Sequence, residues 1–237
     1  MKVGGFSGSR FSAGDRDTDW LTPEVLAHLP AGPVRVLEIG CGVGAVAVEI
    51  ARRRSDLEVT GVDVSSVNID EARQLAKASG LEKRVHFVVG AYPMDGIDPV
   101  DLAYANSVLY LIPESLDGLA CALARDLRPG GLLVSAMPCD GLGNRVLIAA
   151  RRVMALLRSE ALETMALALA KRLYPDWEEA QLRDRIPYLY VIPVHLDSHA
   201  FRASLEKAGL SLTTRRMLPR SSVAKLRHSL SIYRRRS

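Results

Sequence analysis

The stretch VRVLEIGCGVGAVAVEIA, residues 34–51, decides the fold of this 237-residue chain. It opens on a run of mostly apolar side chains at 34–39, which predicts a buried β-strand. Three alternating glycines follow, Gly40, Gly42 and Gly44, and then an Ala/Val-rich segment that predicts a helix. Glycine carries no Cβ and adopts positive φ readily, so the backbone of such a turn can approach a bound molecule closely. The amides that begin the helix would point at the same molecule.

The spacing of the turn is compatible with a nucleotide cofactor. Gly40, Gly42 and Ala45 satisfy a relaxed dinucleotide-binding fingerprint, and Asp63 lies near the spacing expected for a ribose-binding acid. That fingerprint explains neither the third glycine nor Glu38, the acid two positions before the first glycine. The spacing alone therefore leaves the cofactor open.

Composition sets the broad class of the protein. Hydrophobic residues make up 48% of the chain, enough for a full core, and the length suggests one domain with an insertion. Lys and Arg number 31 against 27 acids, a net charge of +4. Much of this excess lies near the C-terminus, where a basic tail either contacts an anionic partner or is simply solvated.

The cysteines predict neither a disulfide framework nor a metal site. Cys41, Cys121 and Cys139 show no paired spacing, so we expect no bound metal and a reducing, cytoplasmic location. Residues 1–22 are predicted to form a mobile arm, since they are rich in Gly, Ser and Asp and contain no apolar leader. No apolar stretch is long enough to cross a bilayer.

From Pro23 onward the sequence alternates strands and helices. Apolar strands separated by helices predict an α/β fold, a seven-stranded, mostly parallel, doubly wound sheet with an antiparallel last strand. The predicted strands are 34–39, 57–64, 85–89, 101–105, 132–137, 210–217 and 229–233; the predicted helices are one starting near Pro23, 43–54, 66–77, 113–127 and 198–208; and 128–131 is predicted as a turn.

Residues 139–196 interrupt this alternation. They are predicted to be helical, at 146–157, 160–173 and from Asp176, and they combine many Leu, Ala and Met with arginines. We interpret them as a helical lid inserted between strand five and the next helix. The cofactor-binding domain is then expected at 23–138 and 197–237.

Several motifs now agree in order and spacing. The acid-x-Gly-x-Gly-x-Gly run at 38–44, Asp63 at the end of strand two, the Pro-Gly-Gly at 129–131 and the helix-Gly-strand ending at 201–210 occur in sequence. Together they resemble the class I S-adenosylmethionine-dependent methyltransferases, over about 33–138 and 198–233. A nicotinamide enzyme would need neither the Pro-Gly-Gly turn nor the final hairpin.

The resemblance implies S-adenosylmethionine (SAM) as cofactor and S-adenosylhomocysteine as product. The glycines would lie against the methionine part of SAM, Glu38 would hold the loop and the SAM ammonium group, and Asp63 would accept hydrogen bonds from both ribose hydroxyls. Val64 would flank the adenine. The cofactor residues so implied are Glu38, Gly40, Cys41, Gly42, Gly44, Asp63, Val64, Ala91, Tyr92 and Asn106.

One position departs from the family. Ala91 stands where many members carry an acid that binds the adenine amino group, so either Asp95 or the backbone would take that role. Tyr92 is expected to stack on the base or donate to it. Asn106 falls where the family places a group close to the methyl-bearing sulfonium.

The class of methyl acceptor, that is the substrate, is predicted from the composition of the lid. The lid lies over the rim where ligands bind in open α/β sheets, and its Ala/Leu/Met content favours an O or N atom of a small, partly apolar metabolite, as in natural-product biosynthesis. Such an acceptor can need a base. The candidates are His195, Tyr110 and Asp140, and Tyr188 and Tyr190 are candidate substrate-binding residues.

Other functions remain open. Residues 106–109 read Asn-Ser-Val-Leu and lack the Pro-Pro-aromatic run of the enzymes that methylate nucleobase amines, and aromatic residues are only 5%, so a nucleic-acid substrate is disfavoured. An RNA or protein methyltransferase is one alternative. A non-catalytic SAM-binding subunit or sensor is another. The apolar faces of the lid could also form a contact between two copies of the chain.

Overall fold

The chain folds into a seven-stranded sheet covered on both faces by helices. The structure is a computed structural model that describes residues 15–157, 159–173, 178–179, 182–183, 186, 190–219 and 225–237. The strands are β1 (Val34–Ile39), β2 (Leu57–Asp63), β3 (Val85–Val89), β4 (Val100–Asn106), β5 (Leu127–Pro138), β6 (Leu210–Met217) and β7 (His228–Arg235). The helices are α1 (Asp15–His28), α2 (Ala45–Arg53), α3 (Ser66–Ala78), α4 (Leu116–Arg125), α5 (Leu142–Leu156), α6 (Glu160–Leu173) and α7 (His199–Lys207), with a 3₁₀ turn at Leu109–Leu111.

The strand order is β3-β2-β1-β4-β5-β7-β6. Strands β1 to β5 are parallel to their neighbours, whereas β7 is antiparallel to both β5 and β6. The predicted doubly wound sheet with an antiparallel last strand is therefore confirmed. Because the order reverses between β1 and β4, a crevice opens at the carboxyl ends of these two strands, where such folds bind ligands.

Alternating side chains divide the core between the two faces of the sheet. Val36 of β1 packs with α1, α2 and α3, while its neighbour Leu37 packs with α4 and α7. Leu102 and Ala103 of β4 divide in the same way. This burial on both faces explains why the strands are continuously apolar rather than alternating.

The first helix begins earlier than predicted. We expected it near Pro23, after an arm at 1–22, but α1 starts at Asp15 and contains Pro23 in its interior. Leu21 and Val25, one helical turn apart, are buried against the core, and Trp20 packs beside them. Burial of these side chains outweighs the hydrogen bond that an interior proline removes. The rest of the predicted arm, 1–14, lies outside the described residues.

Strand β5 is also longer than predicted. It spans Leu127–Pro138, so residues 128–131, expected as a turn, lie within it. The pairing with β4 jumps from Val100–Leu127 to Leu102–Leu132, and Gly130 has a φ of +79°. The Pro-Gly-Gly sequence therefore forms an irregularity inside the strand, because extra residues can loop out of a ladder without ending it.

The insertion leaves and rejoins the sheet at one point. Cys139, just after β5, pairs as an isolated bridge with Asp197, just before α7. Between them, α5 and α6 with Leu182, Ile186 and Tyr190 enclose a small hydrophobic cluster of their own. The helix predicted from Asp176 lies largely outside the described residues.

Candidate cofactor and acceptor site

The glycine turn is held by β2. The amides of Gly40 and Cys41 both donate to the carbonyl of Val62, at 2.8 and 3.0 Å. Gly40, Gly42 and Gly44 have φ of +71°, +54° and +73°. Only glycine adopts this conformation without strain, so the local backbone requires all three residues.

Two of these glycines are also required by packing. A Cβ on Gly40 would lie 2.6 Å from Val108, and a Cβ on Gly44 would lie 2.4 Å from the ring of Phe87. The predicted reason for the glycines, close approach of SAM, stays a prediction, and packing is an independent reason for two of them. At Gly40 and Gly44 the fold itself leaves no room for a side chain.

Glu38 lies at the end of β1 with its side chain buried. Only 5% of the residue is exposed, and its Oε2 has no hydrogen-bond partner among the described residues. Burial raises the pKa of Glu38 from 4.5 to about 8; the nearby Tyr104 hydroxyl and Ala47 amide oppose this rise, and the charge of Asp63 adds to it. A cationic donor brought to this carboxyl would satisfy the unpartnered oxygen. The ammonium group of SAM has that chemistry, so the site fits the cofactor.

Asp63, at the end of β2, joins the turn to α3. Its Oδ2 accepts from the Gly42 amide at 2.9 Å, and its Oδ1 accepts from the Ser65 amide at 2.9 Å and the Asn68 side-chain amide at 3.3 Å. A carboxylate has about four acceptor positions, so about one remains for a ribose. Asp63 is thus a structural link as well as the predicted ribose acceptor.

Cys41 and Tyr92 are placed differently from expectation. The Cys41 side chain packs in the core beside Gly61, where burial raises the pKa of its thiol, so only its main chain faces the turn. Tyr92 is 7% exposed, and its pKa is raised by burial and then by Asp126, at the end of α4. These positions do not favour the adenine stacking predicted for Tyr92.

The strand ends β2 and β3 frame the predicted adenine position. Val64 is half-buried and Ala91 is exposed, and the Gly90 amide donates to the carbonyl of Asp63 at 2.9 Å, which holds the two strand ends together. Asp95 forms an ion pair with Arg125 at 3.3 Å on the surface. Of the two routes to the adenine amino group, the geometry thus favours the backbone.

A cluster at the end of β4 was missed by sequence reasoning. Ser107, which follows Asn106, lies with its Oγ 3.3 Å from Asn106 Oδ1 and 3.2 Å from Nε2 of His228. The rings of His228 and Tyr110 meet edge to face, with centroids 6.2 Å apart. His228 opens β7, and only the antiparallel pairing of Pro138 with His228 brings it to this rim. The predicted hairpin was the one signal in the sequence that could have suggested it.

Of the predicted bases, Tyr110 belongs to this cluster, whereas His195 and Asp140 are bound to other groups. His195 Nε2 is 2.8 Å from the carbonyl of Glu114, and the His195 amide lies 3.4 Å from the carbonyl of Tyr110. Asp140 binds both nitrogens of the Arg145 fork, at 2.7 and 2.9 Å, which lowers the pKa of this carboxyl. Tyr190 is buried in the cluster of the insertion, while Tyr188 lies outside the described residues.

Arg151 brings a cation from α5 toward Tyr110. Its Nη1 donates to the carbonyl of Val191 at 3.3 Å. Burial lowers the pKa of this guanidinium, and Tyr110 partly opposes the shift. The rim beside β4 therefore combines an arginine, a tyrosine and a histidine with the apolar side chains of the insertion.

Asp197 ties this rim to the last helix and strands. It is 4% exposed, and it accepts from Arg202 at 2.9 Å, from Arg215 at 2.8 Å and from the Ser229 hydroxyl. Burial alone would raise its pKa, but these hydrogen bonds outweigh it and hold the pKa below the ordinary value. The network fixes the return of the insertion onto the sheet.

The described part of the chain contains neither a membrane-spanning helix nor a cluster of metal ligands. None of its helices is both long and apolar enough to cross a bilayer. Across the same described residues, three or more His, Cys, Asp or Glu side chains are nowhere grouped so that they could hold a metal ion.

Comparison with known proteins places the motifs in a family. Residues 36–131 match the family model described as "Methyltransferase domain". The chain is 34% identical over 116 residues to trans-aconitate 2-methyltransferase of Methylobacterium nodulans, covering 48% of this chain and 43% of that protein. It is 32% identical over 142 residues to ribosomal protein L11 methyltransferase of Deinococcus radiodurans, covering 55% and 50%.

The chain thus spans about half the length of the curated relatives it matches. A solved structure, the [4+2]-cyclase SpnF, shares the fold with a TM-score of 0.62 at 19% identity, covering 97% of this chain and 87% of that one. Family match, sheet order and motif order agree with one another. Residues 36–131 therefore match a methyltransferase domain, and the fold and motif order of the chain resemble those of the class I, S-adenosylmethionine-dependent methyltransferases.

Proposed function

We propose that the protein transfers the methyl group of SAM to an O or N atom of a small, partly apolar metabolite. The observation that carries the cofactor assignment is Glu38. Its buried oxygen without a partner lies beside a glycine turn, one strand away from Asp63. An ammonium group and a ribose presented together would satisfy both carboxylates.

A small acceptor is supported by the insertion. Its helices follow β5 directly, so they lie at the rim where the acceptor must reach the cofactor. Polar groups meet there, since Tyr110 contacts His228 and lies near Arg151, and the helix α5 that carries Arg151 also buries the apolar side chain of Ile148. A site of this kind suits a ligand with an apolar body and a few polar groups.

Two observations favour other functions. One relative is named for a ribosomal protein substrate, and SpnF is named a cyclase, so the fold alone does not fix methyl transfer. Against a nucleic-acid substrate, the arginines of the C-terminus are engaged within the protein: Arg234 with Gly130, Arg235 with Leu127 and Arg236 with Glu206.

The test begins with calorimetry of SAM binding and continues with methyl-labelled SAM. We expect SAM to bind, and label to appear on small hydroxyl or amine acceptors from a metabolite panel. Label on ribosomal protein or total RNA alone would replace the small acceptor by a macromolecule. SAM binding without any labelled product, together with conversion of a panel compound, would indicate a cyclase-like activity, and absence of SAM binding would remove the proposal.

A further inference from the structure

We propose that Ser107 and His228 form a proton relay that accepts the proton of the methyl acceptor. This inference rests on the proposed function and narrows it to acceptors that carry a proton on the attacking atom, that is hydroxyl or amine groups rather than carboxylates. The relay was not among the bases suggested by the sequence.

The hydrogen bonds of His228 select one tautomer. Nδ1 lies 2.9 Å from the carbonyl of Leu226, which can only accept. If Nδ1 carried no proton, its lone pair would face a lone pair of the Leu226 carbonyl oxygen, which is repulsive. The ring proton is therefore assigned to Nδ1. Nε2 is then the basic nitrogen, and it lies 3.2 Å from the Ser107 hydroxyl, whose single proton can be donated either to Nε2 or to Oδ1 of Asn106 at 3.3 Å. A base oriented by a carbonyl and paired with a hydroxyl is the arrangement used to activate hydroxyl groups.

The backbone of Ser107 is held in an unusual conformation. Its φ of +57° is the single positive value among the non-glycine residues described. The Ser107 amide donates to the carbonyl of Ala136 at 2.9 Å, which fixes this geometry from β5. Strained residues of this kind collect at functional sites, where the surrounding structure maintains them.

The same segment touches the cofactor turn. Val108, the next residue, lies against the position that a Cβ of Gly40 would occupy. Asn106, the residue before, is the one expected near the sulfonium. The Ser107 hydroxyl therefore lies on the three-residue segment that connects the glycine turn to the rim, where an acceptor and the methyl group would meet.

Two of the other candidate bases, Asp140 and His195, are engaged by neighbouring groups. The carboxylate of Asp140 is paired with both arms of Arg145. The Nε2 of His195 lies 2.8 Å from the carbonyl of Glu114.

Several ionisable groups lie on the elements around His228, among them Arg227, the residue before it. Tyr110 meets its ring, and Arg151 of α5 lies near Tyr110. Cys139 follows its pairing partner in β5, and Asp197, bound to Arg215, accepts from Ser229, the next residue of β7. The hydrogen bonds that hold the His228 ring include those to Ser107 and to the carbonyl of Leu226.

The step balances as a displacement. The acceptor atom X attacks the methyl carbon of SAM, a C–X bond forms, and the C–S bond breaks with its electron pair going to sulfur. The proton on X passes to the Ser107 oxygen while the Ser107 proton passes to His228 Nε2. The products are X–CH₃, S-adenosylhomocysteine and a protonated His228, which returns its proton to solvent.

The test uses the full-length chain and two variants. His228→Gln removes the base, and Ser107→Gly removes the hydroxyl while favouring the observed φ. With hydroxyl or amine acceptors we expect each to lower kcat by about 10²–10⁴-fold, the usual contribution of a general base, and to leave the SAM dissociation constant within about threefold. The acid limb of the kcat/KM–pH profile should disappear in His228→Gln. His199→Gln, an exposed histidine of α7, serves as the matched control and should behave as the wild type.

A second measurement does not depend on turnover. Long-range ¹H–¹⁵N spectra of the wild type with S-adenosylhomocysteine should show His228 protonated on Nδ1 and bare on Nε2. A proton on Nε2, near-wild-type kcat in both variants, or an acceptor panel labelled only on carboxylates would overturn the relay while the methyltransferase assignment stands. A wild type that does not bind SAM would instead remove the proposed function and the relay with it.

Discussion

The two halves of the sheet differ in how they build their part of the site. The half from β1 to β3 presents a turn whose shape is fixed by the backbone: glycines at positive φ, amides bonded to Val62, and Asp63 bonded to Gly42. The half from β4 to β7 presents side chains brought from distant parts of the chain, such as Ser107 and His228. A common cofactor requires a constant backbone, whereas a particular acceptor requires particular side chains.

Exposure of apolar surface follows the same division. Eight of the twelve large hydrophobic residues exposed in the described chain belong to the insertion: Leu142, Val146, Val153, Leu156, Leu157, Met165, Leu169 and Val194. The cofactor half exposes only Val67 and Val89. Apolar surface of this kind, when contiguous, marks a place where another molecule binds, so we expect such contacts in the acceptor half rather than in the cofactor half.

Removing the insertion should give the largest difference between the two halves, because it should affect methyl transfer and not SAM binding. Residues 140–196 would be replaced by a short Gly/Ser linker, since Cys139 and Asp197 already pair. We expect SAM affinity to change by less than about threefold and methyl transfer to fall by at least about 10⁵-fold, because positioning of the acceptor is lost. Calorimetry and labelled-SAM turnover measure the two effects. Turnover that survives the replacement would show that the acceptor does not bind under the insertion.

Replacing Asp197 should lower the free energy of unfolding through the acceptor half of the sheet. Asp197→Ala leaves Arg202 and Arg215 without their buried partner, and we expect the free energy of unfolding to fall by about 3–5 kcal/mol. Because the pKa of Asp197 lies below its ordinary value, its stabilisation is present at neutral pH and is lost as pH falls through that lowered pKa. Urea unfolding at pH 7 and at acid pH measures both.

The control for this change is Asp98→Ala, which breaks an exposed ion pair with Arg35. Exposed pairs contribute about 0–1 kcal/mol. If both variants lost the same free energy of unfolding, burial of Asp197 would add nothing to the strength of its ion pairs.

Loss of Asp63 should act on the cofactor half alone. Asp63→Ala removes the acceptor of the Gly42 and Ser65 amides as well as the predicted ribose acceptor. We expect SAM binding to weaken by about 2–4 kcal/mol, from the loss of charged hydrogen bonds. Calorimetry beside Asp70→Ala, an exposed acid of α3, isolates the effect. Unchanged affinity in Asp63→Ala would contradict the position assigned to the ribose.

The protonation of Glu38 should give the smallest but most specific signal. Its folded-state pKa near 8 lies above the ordinary 4.5, so its contribution to stability is present at acid pH and is lost as pH rises through about 8. At pH 7 the apoprotein would hold this proton, and an ammonium group would favour the carboxylate, so SAM binding should release about one proton.

Calorimetry in two buffers with different ionisation enthalpies measures that release. Glu38→Gln keeps the shape of the side chain, does not titrate, and should bind SAM without releasing the proton. Equal proton release by the wild type and Glu38→Gln would place the titrating group elsewhere.

The same contrast explains what the sequence could predict. The sheet, the turn and the places of Glu38 and Asp63 follow from local spacing, so they were predictable. The start of α1 at Asp15 depends on packing of Leu21 against distant strands, and the irregularity in β5 depends on its register with β4. His228 entered the site only through strand order. Tertiary contacts of this kind leave no local pattern to detect.

The pairing of the two ends of the insertion affects how easily the insertion can change in length. Cys139 and Asp197 pair directly, and the Asp197 amide donates to the carbonyl of Pro138 at 2.8 Å, so 57 residues depart and return at a single point. Lengthening a segment whose ends are already joined adds little entropic cost, since that cost grows only with the logarithm of its length. Because the two ends of the insertion are paired with each other, a segment of different length or sequence could replace it without changing the register of the sheet.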